Sequence, residues 1–290
     1  MRTGHFTDTA ARDRFRALYD DAVAGLGPTS SRDITTTHGV VRVLTCDGPP
    51  GIPFVLLPGA GSPGVGWAPN VPALRRLATV HLVDPLGGPG ASTQDVPVRS
   101  VGDQVRWVRG VLDALGPCHL VGTSMGGRLA FEVARRSPAG IRTLTLLDPA
   151  LTFTRIPAGT VAASLGALPG APSWLRRRFV ARVGGDADVV DDPVARLIEA
   201  GLSGYASAVP HPSLPSVRDV AAVEVRTLVL LGGRSTMLDP VRARERAALL
   251  PRGTVEVWPD AGHALPGEFP ERVAERLWSL VAASWGTGSS

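Results

Sequence analysis

Along this 290-residue chain, one hydroxyl and one imidazole have the surroundings needed for nucleophilic chemistry. The hydroxyl lies in Gly122-Thr123-Ser124-Met125-Gly126, a G-x-S-x-G pentapeptide within HLVGTSMGGRLAFEVARR. An apolar run precedes it and a helical pattern follows, and this strand–turn–helix setting makes the pentapeptide informative. A nucleophile on so sharp a turn occupies a strained backbone conformation, so the residues two positions away on either side must lack bulk. The turn lifts the hydroxyl clear of the sheet. It also leaves the Met125 N–H facing the oxygen of an attacked carbonyl, with the helix dipole behind it. Gly127 and Ala130 let that helix pack closely. The plainer alternative is a serine that only caps a helix at a glycine turn.

The imidazole is His263, in the small-residue loop of EVWPDAGHALPGEFPERV between the last apolar run and the final helix. Histidine suits general-base work near neutral pH. The other five are less apt: His81 and His119 fall in strands, and His5, His38 and His211 lie in polar or Pro-rich surroundings. Upstream, FVLLPGAGSPGVGW runs from a strand into a glycine-rich loop. Such a loop can supply a second N–H to a developing oxyanion, and Ala60 is the candidate; the alternative is a plain turn.

These groups need a frame to hold them. Phe15, Leu18, Tyr19 and Val23 recur at helical spacing across residues 8 to 25. Ile34 to Thr45 alternates as two antiparallel strands around His38-Gly39. Short apolar runs follow at Phe54–Leu57, Val80–Val83, Leu120–Val121, Leu144–Leu147, Leu228–Leu231 and Val255–Trp258, with helical segments such as Val101–Leu115 and Met125–Arg136 between them. That alternation predicts an α/β fold whose mostly parallel sheet is covered on both faces. Residues 151 to 215 exceed what one crossover helix needs, and the length and helical pieces of this stretch predict a cap inserted into a core of 1–150 and 216–290.

Composition narrows the function. The chain is 44% hydrophobic and 19% charged, which describes a globular protein with a sizeable core. Its formal charge is +4, and all 30 basic residues are arginines scattered along the sequence; no nucleic-acid motif accompanies them. Cys46 and Cys118 have neither metal-ligand nor disulfide spacing. The polar N-terminus lacks the apolar core of a signal peptide, and no apolar run approaches the roughly 18 residues of a membrane span. The expectation is a cytoplasmic protein that binds neither membrane nor nucleic acid.

LLPGAG, Trp67-x-x-Asn70-Val71, VDPLGGPGAS, GTSMGG and DAGHALP together resemble the α/β-hydrolase superfamily from about residue 8 to 284, and look most like bacterial esterase-like serine hydrolases with a helical cap. The resemblance implies a Ser–acid–His triad attacking a carbonyl, with no metal or cofactor, and leaves the substrate open. There are two departures. The family's usual His-Gly before the oxyanion loop is Pro58-Gly59 here, and its usual acid, three residues after the glycine that ends the seventh strand, is replaced by Ser235. Some members of the superfamily, certain lipases and haloalkane dehalogenases among them, take their acid from the end of the sixth strand. Here that position is Asp148, closing RTLTLLDPAL. The competing reading of Asp148 is a cap at the Asp-Pro turn. Asp239 is a rival acid, although its place before Pro240 suits the N-cap of a helix over 240–250. A site with no acid is the third possibility. Asp84 and Asp260 read as turn-shaping residues.

The resulting expectation is hydrolysis of an ester or related acyl bond in a small molecule. Ser124 is the nucleophile, His263 the base, Asp148 the acid, and Met125 and Ala60 the oxyanion donors. Two rivals remain: a cyclase, lyase or C–C hydrolase acting on a specialised metabolite, and a binding protein that kept the fold.

Overall fold

A computed structural model describes residues 3–164, 172–183, 192–210 and 212–285; His211 lies outside them. The chain opens with a two-residue strand β1 (His5–Phe6) and helix α1 (Thr9–Gly25), then the antiparallel pair β2 (Ser30–Thr36) and β3 (Gly39–Cys46). Strand β4 (Phe54–Leu57) leads through a 3₁₀ turn (Gly64–Asn70) and α2 (Val71–Leu74) to β5 (Val80–Val83) and the short β6 (Thr93–Gln94). Next come α3 (Val101–Leu115), β7 (Cys118–Thr123), α4 (Ser124–Arg136) and β8 (Ile141–Leu147). Between β8 and the next core strand lie α5 (Ala158–Ser164), α6 (Ser173–Val183), α7 (Pro193–Gly204), β9 (Tyr205–Ala206) and α8 (Val217–Ala221). The chain closes with β10 (Thr227–Gly232), α9 (Pro240–Ala247), β11 (Gly253–Trp258), α10 (Leu265–Glu268) and α11 (Pro270–Trp285).

The main sheet runs β11-β10-β8-β7-β4-β5-β3-β2, with β6 pairing on β3. From β11 to β5 every pairing is parallel; β2, β3 and β6 pair antiparallel. Burial on both faces explains the unbroken apolar runs. In β4, Val55 and Leu57 join a core with α3 and α4, while Phe54 and Leu56 face the other way, into a core with α1 and α11. Cys46 and Cys118 are both buried, free thiols.

Helix starts follow local chemistry. Ser100 and Asp103 form a reciprocal capping box on α3, Asp8 caps α1, and Asp239 caps α9 ahead of Pro240. One pairing has no periodic signal behind it: β1 pairs antiparallel with β9, so the start of the chain is stitched to the segment just after α7. The Thr7 N–H bonds the Gly204 carbonyl at 2.9 Å, and Phe6 packs edge-on against Tyr205 with centroids 5.0 Å apart. Among the described residues no helix is long and apolar enough to cross a membrane.

Candidate active site

Strands β4, β7, β8 and β10 are parallel neighbours, so their C-terminal ends share one edge of the sheet. Leu57 pairs with Gly122, Thr123 with Leu147, and Leu147 with Leu230. With adjacent strands about 4.8 Å apart, the residues that follow each end are forced together. Those residues are Gly59-Ala60, Ser124, Asp148 and the segment from Gly232 to Ser235. His263 arrives from the loop after β11, the strand beside β10. The edge includes the point between β4 and β7 where the strand order reverses, the usual ligand crevice of an open α/β sheet.

Ser124 occupies the left-handed region at φ 52°, and Asp148 does so at φ 42°. Such conformations cost about 1–3 kcal/mol each for non-glycine residues, and persist where the surrounding structure dictates them. The two strained turns are tied by a hydrogen bond from the Ala150 N–H to the Ser124 carbonyl, at 3.2 Å. The glycines of the pentapeptide are there for space. A Cβ on Gly122 would collide with the Gly126 carbonyl, and one on Gly126 would collide with the Pro58 carbonyl.

Ser124, His263 and Asp148 form one hydrogen-bonded chain. His263 Nε2 lies 2.9 Å from Ser124 Oγ, and His263 Nδ1 lies 2.5 Å from Asp148 Oδ2. Because the carboxylate accepts, Nδ1 carries the proton and Nε2 is left to receive one from the hydroxyl. His263 is buried and Asp148 fully so. A carboxylate so placed needs donors in place of water, and it has three. The Gly232 N–H reaches Oδ1 at 2.8 Å, and the Ser235 hydroxyl reaches Oδ2 at 2.6 Å beside the imidazole. The His263 loop is fixed from behind by the Glu268 carboxylate, which accepts the Gly262 N–H at 2.9 Å.

Met125 is in the first turn of α4, where backbone N–H groups lack intrahelical partners. The Thr123 side chain does not cap that turn; its hydroxyl donates to the Leu147 carbonyl at 3.3 Å. Across the crevice, a Cβ on Gly59 would come within 3.2 Å of Ser124 Cβ, so the Gly59-Ala60 loop passes directly beside the hydroxyl. Helix α7 leans on this loop, with the Leu202 side chain against Gly61 and Gly201 against the Gly61 carbonyl.

The remaining acids and histidines have other duties. Asp239 accepts the Val241 and Arg242 N–H groups at 3.1 and 3.2 Å. Asp84 accepts from Gly64 N–H, Ala91 N–H and the Tyr19 hydroxyl; burial pushes its carboxyl above the usual range, against the pull of those donors. Asp260 faces Arg272 at 3.4 Å on the surface. His81 and His119 bond Thr45 and Thr143 within the sheet, and burial pushes His119 down to about 4.

Sequence reasoning missed two contributors. Ser235 reads in the sequence as a lost charge, whereas in space its hydroxyl meets the Asp148 carboxylate. Glu268 has only its closeness to His263 in DAGHALPGE as a signal.

Residues 54–276 match the sequence model of the alpha/beta hydrolase family. The chain is 27% identical to carboxylesterase YbfK of Bacillus subtilis (strain 168), over 92% of this chain and 93% of the relative. It is 30% identical to a 2-hydroxymuconate semialdehyde hydrolase of Pseudomonas putida, over 80% of this chain and 88% of the relative. Among solved structures, naproxen esterase (carboxylesterase NP) of Bacillus subtilis superposes with a TM-score of 0.87 at 25% identity, covering 94% of this chain and 99% of that one.

Proposed function

Because the chain belongs to the α/β-hydrolase family, we propose that it is a serine carboxylesterase that opens an ester or related acyl bond through an acyl-enzyme on Ser124. The observation that carries this reading is the continuous hydrogen-bonded chain from Ser124 Oγ through His263 to Asp148. His263 Nε2 takes the hydroxyl proton as Ser124 attacks the carbonyl carbon, then returns it to the leaving alkoxide. A water molecule enters next, loses its proton to the same nitrogen and releases the acid, regenerating Ser124. Asp148 holds the imidazole in the tautomer that leaves Nε2 free and offsets the positive charge it gains. The Met125 and Ala60 amides are the donors to the oxyanion, where a single lost donor costs about 10²–10³ in kcat. Each proton transfer is carried by the chain's own groups and water.

The described parts of residues 151–215 act as the cap over this site, with α7 as the wall nearest the Ala60 loop; residues 165–171, 184–191 and 211 of that predicted insertion lie outside the described residues. The substrate is a small-molecule ester or related acyl compound, and the enzyme works in the cytoplasm. The test is hydrolysis of p-nitrophenyl butyrate by the wild type and by Ser124→Ala. Turnover that vanishes in the variant supports the scheme; full turnover by the variant overturns it.

One observation favours a second reading. The Pseudomonas putida relative is named for a semialdehyde and not for an ester, so the same residues could hydrolyse a carbon–carbon bond beside a carbonyl. Turnover of such a substrate with none of simple esters would select that reading.

A further inference from the structure

We propose that Ser235 is a positioning residue, whose hydroxyl holds the Asp148 carboxylate against His263 and sets how strongly that carboxylate acts on the imidazole. The inference rests on the triad reading given above and adds a fourth member to it. Two donors converge on one oxygen: Ser235 Oγ at 2.6 Å and His263 Nδ1 at 2.5 Å both reach Asp148 Oδ2. The hydroxyl is itself oriented, because it accepts the Met237 N–H at 3.2 Å and so has its proton free for the carboxylate. The backbone around it is pinned as well. The Ser235 N–H bonds the Gly232 carbonyl at 3.2 Å, and the Arg234 N–H bonds the Ala261 carbonyl at 2.9 Å, two residues before His263.

This arrangement does two things that Asp148 alone does not. With Gly232 N–H on Oδ1 and Ser235 O–H on Oδ2, the carboxylate is gripped at both ends and its plane is fixed toward the imidazole. It also gives a fully buried carboxylate a hydroxyl donor in place of water.

The test is a double-mutant cycle between Ser235 and Asp148, read as kcat and KM on p-nitrophenyl butyrate, with melting temperatures measured alongside. Ser235→Ala is expected to lower kcat about tenfold, the scale of one hydrogen bond to a charged group, and to leave KM within twofold. Ser235→Thr, which restores a hydroxyl, is expected to recover most of that loss. In the Asp148→Asn background Ser235→Ala is expected to change kcat by less than twofold, because the group it acts through is gone. A wild-type kcat in Ser235→Ala overturns the proposal, as does an equal tenfold loss in both backgrounds. A wild-type kcat in Asp148→Asn is a separate result: it removes Asp148 from the triad and takes this proposal with it. Absence of wild-type turnover together with absence of fluorophosphonate labelling at Ser124 overturns the esterase reading, and the Ser235 proposal that rests on it.

Discussion

The ends of β8 and β10 lie side by side and meet at the same carboxylate, yet they bring opposite halves of its chemistry. Strand β8 ends on Asp148, a fully buried acid in a left-handed turn at φ 42°. Strand β10 ends on donors, the Gly232 N–H and the Ser235 hydroxyl, both directed at that acid. On the proposed triad reading, His263 draws on an anionic oxygen at Nδ1, with the charge carried by the β8 end and hydrogen bonds supplied by the β10 end. The side without the charge is correspondingly more open, since Arg234 is exposed and Ser235 only half-buried.

The sharpest way to break this comparison is to neutralise the β8 side. Asp148→Asn keeps the shape and is expected to lower kcat by about 10⁴, some 5.5 kcal/mol of barrier; kinetics on a simple ester measure it directly. The next experiment exchanges the two ends. Asp148→Asn combined with Ser235→Asp puts the charge on β10 and is expected to regain about 10² of the lost rate. A double variant no faster than Asp148→Asn would mean that only the β8 end can aim a carboxylate at Nδ1. The smallest effect belongs to the other acid near the β10 end. Asp239→Ala is expected to cost about 1 kcal/mol of stability through loss of the α9 cap, read by denaturant unfolding, with kcat unchanged.

The same comparison shows what could be read from sequence. The pentapeptide around Ser124 was legible because its meaning is local: a strand, a turn that tolerates only glycine two residues either side, and a helix all fall within HLVGTSMGGRLA. The parallel sheet was legible because burial on both faces leaves continuous apolar runs such as Phe54–Leu57 and Leu228–Leu231. Asp148 could be named as one candidate acid, beside Asp239 and a site with no acid, because it closes such a run at the strand end from which some α/β-hydrolases take theirs. Ser235 could not be read as its partner, because the two lie 87 residues apart and only the adjacency of β8 and β10 joins them. Linear spacing registered an absent charge where the fold supplies a donor to a charge on the next strand. The pairing of His5 and Phe6 with Ala206 and Tyr205 escaped for the same reason, two residues being too few to show any period. Asp239 was legible as a cap, since an acid directly before Pro240 at a helix start is a local pattern.

The most direct test of the central claim is intact-mass labelling by a small fluorophosphonate, run as a time course on wild type and Asp148→Asn with the modified residue mapped. Rapid single labelling of the wild type at Ser124, and labelling of Asp148→Asn slowed by about 10³ or more, is the predicted result. Equal rates in the two proteins, or a label on any other residue, would contradict a nucleophile driven by an acid at the end of β8.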